Sequence, residues 1–222
     1  LSADCIFDNT QITLDKMKLE LPNSIIGPKF SMTYKDFTAM DKPFTDVIYQ
    51  LKLRNSKICL SDISAFAPWL KNRNFVLDVN ADIKGPLCKI QSNYFIAKTK
   101  NGTVLNLKYA LTGLPEVSTL FNGIDFKQST VFVKDITSLI PEIELPKTVL
   151  DLGYLKLNGA LDLPMGLLHW EGEINTDKGN LAGVLDLDYS KENDPLGYNL
   201  IVNVDSVDWN HFLPQAAFLG KA

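Results

Sequence analysis

Two short acidic stretches come closest, in residue type and spacing, to a site for chemistry. Asp78, Asn80 and Asp82 have the spacing with which an EF-hand calcium loop begins. That loop needs glycine at its sixth position and a bidentate glutamate at its twelfth, where this chain has Ile83 and Lys89. The acids alternate with apolar residues, so we interpret the stretch as the solvated side of a strand.

Paired carboxylates can act as general acid and base, and Asp186 and Asp188 are two residues apart. They alternate with leucines, which again favours the outward side of a strand. The chain has two histidines, His169 and His211, each near a tryptophan in apolar surroundings, and we interpret both as structural or surface residues and not as catalytic ones. Without a nucleophile motif, a zinc motif or a phosphate-binding glycine loop, the sequence predicts no enzyme, no metal site and no cofactor.

Composition and charge narrow the classes of partner. The chain has 222 residues and a formal net charge of −4, which argues against a nucleic-acid-binding surface. Hydrophobic residues make up 45% and charged residues 22%, which is typical of a folded chain. The cysteines Cys5, Cys59 and Cys88 are single and far apart, so we expect small buried apolar residues and no metal ligands.

Alternation of apolar and polar residues dominates the sequence and predicts strands with one apolar face. Turn signals such as Asn101-Gly102 and Lys178-Gly179-Asn180 separate these strands at short intervals, and Gly27-Pro28 and Gly85-Pro86 predict looser turns. This pattern predicts an all-β, mainly antiparallel fold of repeating hairpins with a few short helices. The residues expected on the apolar face are Leu77, Val79, Ile83, Leu105, Leu107, Tyr109, Leu111, Leu185 and Leu187.

A short helix-like segment recurs along the chain at a constant interval. Its aspartates and prolines are each 73 residues apart (135 − 62 and 208 − 135; 141 − 68 and 214 − 141). A fixed interval of this length indicates an elongated, repetitive architecture. We therefore expect one elongated segment of a larger protein, with repeat units at about 1–61, 62–134 and 135–207 and the next unit starting at 208–222. The repeat markers are Asp62, Pro68, Asp135, Pro141, Asp208 and Pro214.

The order of several short motifs resembles the TamB/AsmA-like family of bridge-type lipid transfer proteins, in the form found in Bacteroidota-type bacteria. The resemblance covers nearly the whole chain, and its motifs are short and degenerate. The motifs are Leu19-Glu20-Leu21-Pro22-Asn23-Ser24, Leu53-Arg54-Asn55-Ser56, the segment 61–68, Ile83-Lys84-Gly85-Pro86-Leu87, Thr112-Gly113-Leu114-Pro115 and the segment 175–181.

This resemblance implies a periplasmic protein anchored in the inner membrane, with membrane contact through segments outside this chain. It implies a long, curled β-sheet whose hydrophobic groove carries phospholipid acyl chains between the inner and outer membranes. It also implies a role in outer-membrane protein assembly with an Omp85-type partner. The C-terminal segment that marks the family most specifically is not in this sequence, which leaves the choice between TamB and another AsmA-like member undecided.

Alternation alone leaves two shapes open. The apolar faces could line an open groove, or they could meet each other in a closed core. The corresponding functions are a lipid-conducting segment or, as the alternative, a structural β-repeat module that serves as a spacer or a chaperone-like scaffold. Neither function requires a catalytic residue.

Overall fold

The computed structural model of this chain describes residues 1–64, 70–114, 116, 121–139, 145–188, 190 and 197–208. Strands account for most of them, which confirms the predicted all-β fold class with a few short helices. None of the described helices is long and apolar enough to span a membrane.

In the described part of the chain, thirteen strands and four short helical segments follow one another. The strands are β1 Ser2–Phe7, β2 Gln11–Glu20, β3 Ile25–Ile26, β4 Pro28–Thr33, β5 Ile48–Cys59, β6 Val76–Gly85, β7 Lys89–Lys98, β8 Val104–Thr112, β9 Phe121–Phe132, β10 Tyr154–Pro164, β11 Leu167–Thr176, β12 Gly179–Asp188 and β13 Gly197–Asp205. The helices are the 3₁₀ turns Phe37–Asp41 and Leu60–Ile63, then α1 Val133–Leu139 and α2 Lys147–Leu150.

All thirteen strands belong to a single antiparallel sheet in which chain neighbours are also sheet neighbours. The short strands β3 and β4 share one place in this order, between β2 and β5. Twelve successive places at a strand spacing of about 4.8 Å make the sheet on the order of 50 Å across. A sheet with this many strands does not stay flat, because strand twist accumulates from each neighbour to the next.

Four strands were missed by the alternation pattern, namely β1, the two-residue β3, β7 and β9. In β7 the pairing register shifts between Ser92 and Phe95, and a matching shift lies opposite β9 between Leu157 and Gly159. Each shift is a β-bulge, which inserts one extra residue into the strand. Residues of the apolar face that are odd-numbered before the bulge are therefore even-numbered after it, or the reverse. The apolar face of β7 and β9 is therefore continuous in space although the pattern is interrupted in the sequence.

The four turn predictions have different outcomes, and the turn at Gly85-Pro86 lies between β6 and β7, as expected. Gly102 lies in the β7–β8 hairpin with φ 108°, and Gly179 begins β12 directly after the β11–β12 turn, as expected. The looser turn predicted at Gly27-Pro28 is wrong, since these residues join β3 to β4 within one place of the sheet. A Cβ on Gly27 would lie 2.1 Å from the backbone oxygen of Met17, so close strand approach explains this glycine.

The most buried part of the apolar face lies in the first half of the sheet. Leu53, Val79, Ala81 and Ala97 are each at most 2% exposed. Larger side chains from the same face surround these residues and shield them. Beyond neighbouring strands, the second 3₁₀ turn packs against β5, and α1 packs against β9 and α2. A second buried cluster, formed by Tyr34, Ala39 and Val47, lies where the first 3₁₀ turn meets β2, β4 and β5.

The cysteines differ in exposure. Cys59 is buried and Cys88 is half-buried, whereas Cys5 is exposed on β1. The expectation of burial is therefore wrong for Cys5, because β1 is the first strand of the sheet and, among the described strands, has a neighbour on one side only.

Candidate functional site

A line of directly opposed residues crosses the whole sheet on its apolar face, and we call it the apolar ladder. Each member is the register partner of the next, on every place of the sheet from β1 to β13. All members except Ser92 have apolar or aromatic side chains. They are Cys5, Leu14, Phe30, Leu51, Ile83, Ser92, Tyr109, Ile124, Leu161, Trp170, Leu185 and Leu200.

Most of the apolar ladder is half-buried. From Leu14 to Leu185 only Ser92 is buried, and no member is fully exposed. Exposure rises at the far end, where Leu200 on β13 is 58% exposed. Part of this burial comes from neighbouring side chains of the sheet, and part from short segments that lie on the face. Ala39 of the 3₁₀ turn Phe37–Asp41 belongs to a cluster with Ile12, Met32 and Tyr49, and Ile136 of α1 lies beside Leu77 and Leu105. The described strands all belong to one sheet, so the apolar face is not the core of a β-sandwich, although short segments cover parts of it.

Aromatic side chains pack against each other in the middle of this face. Phe95 and Tyr109 pack edge to face with ring centroids 5.8 Å apart. Burial raises the pKa of Tyr109 to about 12, as expected for a phenol in apolar surroundings. Phe126 on β9 reaches Trp170 on β11, with centroids 5.9 Å apart, although β10 lies between them. Across β10, Phe126 lies opposite Gly159, which has no side chain to separate the two rings.

The other face of the sheet has a matching line of neighbours with mostly polar side chains, which we call the polar ladder. It runs one residue away from the apolar ladder on every strand. Its members are Ile6, Thr13, Ser31, Gln50, Lys84, Gln91, Ala110, Gly123, Asp162, His169, Asp186 and Asn199.

Ion pairs lie on this polar face of the sheet. Arg54 binds both carboxylate oxygens of Asp82 at 3.1 and 2.9 Å, and Lys29 pairs with Asp15 at 2.8 Å. The sheet thus separates a solvated, charged face from an extended apolar one. A contiguous apolar surface that stays partly exposed is a feature of surfaces that bind an apolar ligand or partner.

All nine residues predicted for a groove lie on the apolar face. Seven of them belong to β6 and β8, whereas Leu185 and Leu187 lie on β12, four places away from β8. Within the first group Val79 is 2% exposed and Leu107 is 9% exposed, so these two serve as core residues of the face. The two groups do not touch directly.

The residues that connect the two groups were missed from the sequence. Ile124 on β9, Leu161 on β10 and Trp170 on β11 join Tyr109 to Leu185. Alternation in β10 was visible in the sequence and contained Leu161. Ile124 was hidden because the bulge in β9 interrupts the alternation.

The interpretation of His169 as a residue in apolar surroundings is wrong. Its ring lies on the polar face, with Nδ1 2.5 Å from Oδ1 of Asp186, and the two side chains are 41% and 45% exposed. Asn199 donates a hydrogen bond to the other oxygen of Asp186 at 3.1 Å. The hydrogen bond with Asp186 raises the pKa of His169, and the nearby carboxylates of Asp162 and Glu171 add to the rise. The neighbouring Trp170 points to the opposite face, because successive strand residues alternate.

The repeat marker Asp135 is a buried carboxylate, 4% exposed, that accepts three hydrogen bonds. The donors are Thr99 at 2.6 Å, Asn101 at 2.6 Å and Thr103 at 2.5 Å, all from the β7–β8 hairpin. Burial is the largest single influence on its pKa and acts to raise it. The hydrogen bonds from Thr103, Thr99 and Asn101 together hold the pKa below its ordinary value.

The marker Asp62 makes an equivalent set of contacts with the segment between β2 and β3. Ser24 donates its hydroxyl to Asp62 at 2.7 Å, and Asn23 donates its backbone N–H at 2.8 Å. The hydrogen bond from Ser24 lowers the pKa of Asp62 below its ordinary value. At both markers, the hydroxyl that donates to the aspartate also accepts a backbone hydrogen bond. The donor is the residue three positions before the aspartate: Cys59 donates to Ser24, and Phe132 donates to Thr103.

For the third marker, the backbone N–H of Asp208 donates to the carbonyl of Lys178 in the β11–β12 turn. Pro68, Pro141, Pro214 and His211 lie outside the described residues. The described parts of the first two predicted helices are the 3₁₀ turn Leu60–Ile63 and α1. The unit boundaries at residues 61, 134 and 207 stay a prediction.

Comparison with protein-family models, with curated proteins and with solved structures gives no significant match for this chain.

Proposed function

We propose that this chain is a segment of an envelope-spanning bridge protein whose apolar sheet face carries phospholipid acyl chains between the inner and outer membranes. The observation that supports this most is the apolar ladder, which has a member on every place of the sheet, all of them apolar or aromatic except Ser92. A β-sandwich would bury such a line under a second sheet, and the described strands all belong to one sheet.

The proposed mechanism needs no catalytic residue. Each acyl methylene removed from water stabilises the bound lipid by about 0.8 kcal/mol. Neighbouring strands place ladder side chains about 4.8 Å apart, so a chain lying across the strands exchanges one contact for a similar one as it moves. The headgroup stays in water, because the apolar ladder has no charged member.

This function places the chain in the periplasm, within a parent protein anchored to the inner membrane through segments other than these residues. An Omp85-type outer-membrane protein would be reached through the parent chain, in support of outer-membrane protein assembly. Both statements follow from the family resemblance, and the amphipathic sheet is compatible with them.

The second candidate function is a non-lipid scaffold that holds other chains by strand addition. It is supported by the ends of the sheet, because β1 and β13 each have one strand neighbour among the described residues. On β13, Tyr198 is 76% exposed and Ile201 is 65% exposed, on opposite faces. A row of unpaired backbone groups beside apolar side chains is the feature by which an edge strand recruits another strand.

A matched pair of variants on β12 tests the lipid function. Leu185→Asn changes the apolar ladder, and Val184→Asn changes the adjacent residue on the other face. Both residues are half-buried and lie in the same strand pairs, so the two substitutions have similar effects on strand stability. Phospholipid bound after incubation with vesicles is measured by solvent extraction and mass spectrometry, and transfer between vesicles by dequenching of a fluorescent phospholipid.

We expect bound phospholipid and transfer to fall at least several-fold with Leu185→Asn and to remain near the unsubstituted level with Val184→Asn. Unsubstituted protein that binds no phospholipid contradicts the lipid function. In that case strand addition is tested with Val202→Pro on the edge strand β13, which would prevent capture of an extended peptide if the scaffold function is right.

A further inference from the structure

A cavity of about 300 Å³ lies where the second 3₁₀ turn and α1 approach the ends of β6, β8 and β9. It is separate from the centre of the apolar ladder. Its wall includes Leu60, Leu70, Leu77, Leu105, Ile136 and Leu139. These side chains come from both sides of the predicted unit boundary at residue 61, so the cavity forms only after distant segments have come together.

The size and chemistry of the cavity restrict what it can hold. Ligand cavities range from about 300 to 1,000 Å³, so this one is at the small end and suits one linear hydrocarbon chain better than two. An apolar cavity also excludes water, because a water molecule there would lack hydrogen-bond partners. The space is therefore suited to a slender apolar ligand.

Asp135 determines the orientation of such a ligand. It is the one charged group among the described lining residues, and its oxygens already accept bonds from Thr99, Asn101 and Thr103. The lowered pKa keeps this carboxyl negatively charged at neutral pH. The cavity surface itself is apolar, and the carboxylate lies behind it, so a phosphate or a fatty-acid carboxylate would gain no hydrogen bond there. The polar end must therefore stay outside, and the methyl end must enter.

The cavity is continuous with the apolar face. Leu77 and Leu105 line it and also pack against the buried cluster that includes Val79 and Ala97. A hydrocarbon chain on the face can therefore reach the cavity without crossing a polar surface.

We propose that this cavity is a docking site for the methyl end of a single phospholipid acyl chain. This inference rests on the proposed lipid function and adds a fixed site to a surface along which chains otherwise slide. The chain enters beneath α1, while its headgroup and second chain remain on the open face.

Photo-crosslinking of the complete 222-residue chain tests the site. The probe is phosphatidylcholine with a diazirine near the methyl end of one acyl chain, presented in phosphatidylcholine vesicles. After irradiation, labelled residues are identified by peptide mass spectrometry. We expect label on Leu77, Leu105, Ile136 or Leu139 that saturates at one probe per protein, together with weaker label along the apolar ladder.

Two cavity-filling variants and one control separate binding from folding. Leu105→Trp and Ile136→Phe reduce the space in the cavity, and each is expected to lower cavity labelling at least five-fold while ladder labelling continues. Asn106→Trp changes the next residue of β8, on the opposite face, and is expected to leave cavity labelling unchanged. Two filling variants on different elements keep the test valid if one of them does not fold.

The remaining outcomes are distinguishable. Label on the apolar ladder without label in the cavity overturns the docking site and leaves the lipid function intact. The absence of label at both places contradicts the lipid function as well. A parallel experiment uses palmitate with a terminal diazirine, and cavity labelling by palmitate but not by phosphatidylcholine overturns the assignment to phospholipid.

Discussion

Ser129 makes the same pair of hydrogen bonds across a bulge that Ser56 makes 73 residues earlier (129 − 56). Ser56 donates to the carbonyl of Gly27 at 2.8 Å and accepts its N–H at 3.2 Å. Ser129 does both with Asn106, at 2.9 Å each. The two serines are 2% and 0% exposed, so their hydroxyls supply hydrogen bonds to backbone groups beside the bulges in the interior. The carbonyl of Gly27 also accepts the N–H of Arg54 at 2.9 Å.

Ser129→Ala and Ser56→Ala are each expected to lower the free energy of unfolding by about 1–3 kcal/mol, because each leaves a buried backbone N–H and carbonyl without that partner. Urea denaturation followed by circular dichroism measures the change. Ser2→Ala on the exposed strand β1 is the control and should have little effect. Equal effects at all three positions would contradict the bridging role of the buried hydroxyls.

The residues that precede these serines have left-handed backbone, with φ 51° at Asn55 and 48° at Gln128. This conformation costs a residue with a Cβ roughly 1–2 kcal/mol, and asparagine tolerates it better than glutamine. We expect Gln128→Gly to raise the free energy of unfolding by about 0.5–1 kcal/mol and Asn55→Gly to change it less. Thermal and urea denaturation measure both variants, and Lys127→Gly, without positive φ, should be destabilising. A loss of stability in Gln128→Gly would contradict the assignment of strain to this bulge.

Removal of the Asp135 side chain is expected to be more damaging than removal of Asp62. Asp135→Ala leaves three hydroxyl or amide donors near a buried site without their acceptor, which should cost about 2–4 kcal/mol. The Asp62 side chain is only half-buried, so water can replace it and the loss should be smaller. Urea denaturation of the two variants under one condition decides this order, and a larger loss at Asp62 would contradict it.

The same carboxyls predict sensitivity to acid. The pKa values of Asp62 and Asp135 are lower in the folded chain than their ordinary value of 3.8. Their contribution to stability is therefore complete above that value and is lost as the pH falls through the folded pKa. Below pH 4 we expect the unfolding free energy of the unsubstituted chain to decrease more steeply than that of Asp135→Asn. Parallel curves for the two proteins in urea titrations would be evidence against this.

The pair His169–Asp186 predicts a second dependence, near neutral pH. The pKa of His169 is raised above its ordinary value of 6.5, so its contribution is complete below that value and is lost as the pH rises through the folded pKa. The pKa of Asp186 is lowered, so its contribution is present above 3.8 and is lost in acid. NMR titration of the imidazole in a His211→Gln background measures the first pKa directly. Asp186→Asn should lower it, and an unchanged value would contradict the ion pair.

Much of the architecture was predictable because local alternation has a direct physical meaning. Where a strand is regular, as in β6, β8 and β12, side chains two residues apart must share a face, so membership of the apolar face follows from the sequence. The constant interval between Asp62 and Asp135 likewise predicted equivalent positions, and the two carboxylates do accept equivalent hydrogen bonds.

Tertiary structure alone decided where the bulges lie, which strands join the separate apolar segments, and whether a second layer covers them. A bulge depends on which residue of the neighbouring strand lies opposite, as with Ser129 and Asn106. Which residues face the apolar side after the bulge therefore cannot be derived from one strand. For the same reason, neither the position of Ile124 on the apolar face nor the contact of His169 with Asp186 could be derived from the sequence. Contacts between strands depend on the register, which one strand does not define. From the sequence, an amphipathic antiparallel sheet could be derived. The pairing of the thirteen described strands decided that the separate apolar segments join into one continuous face.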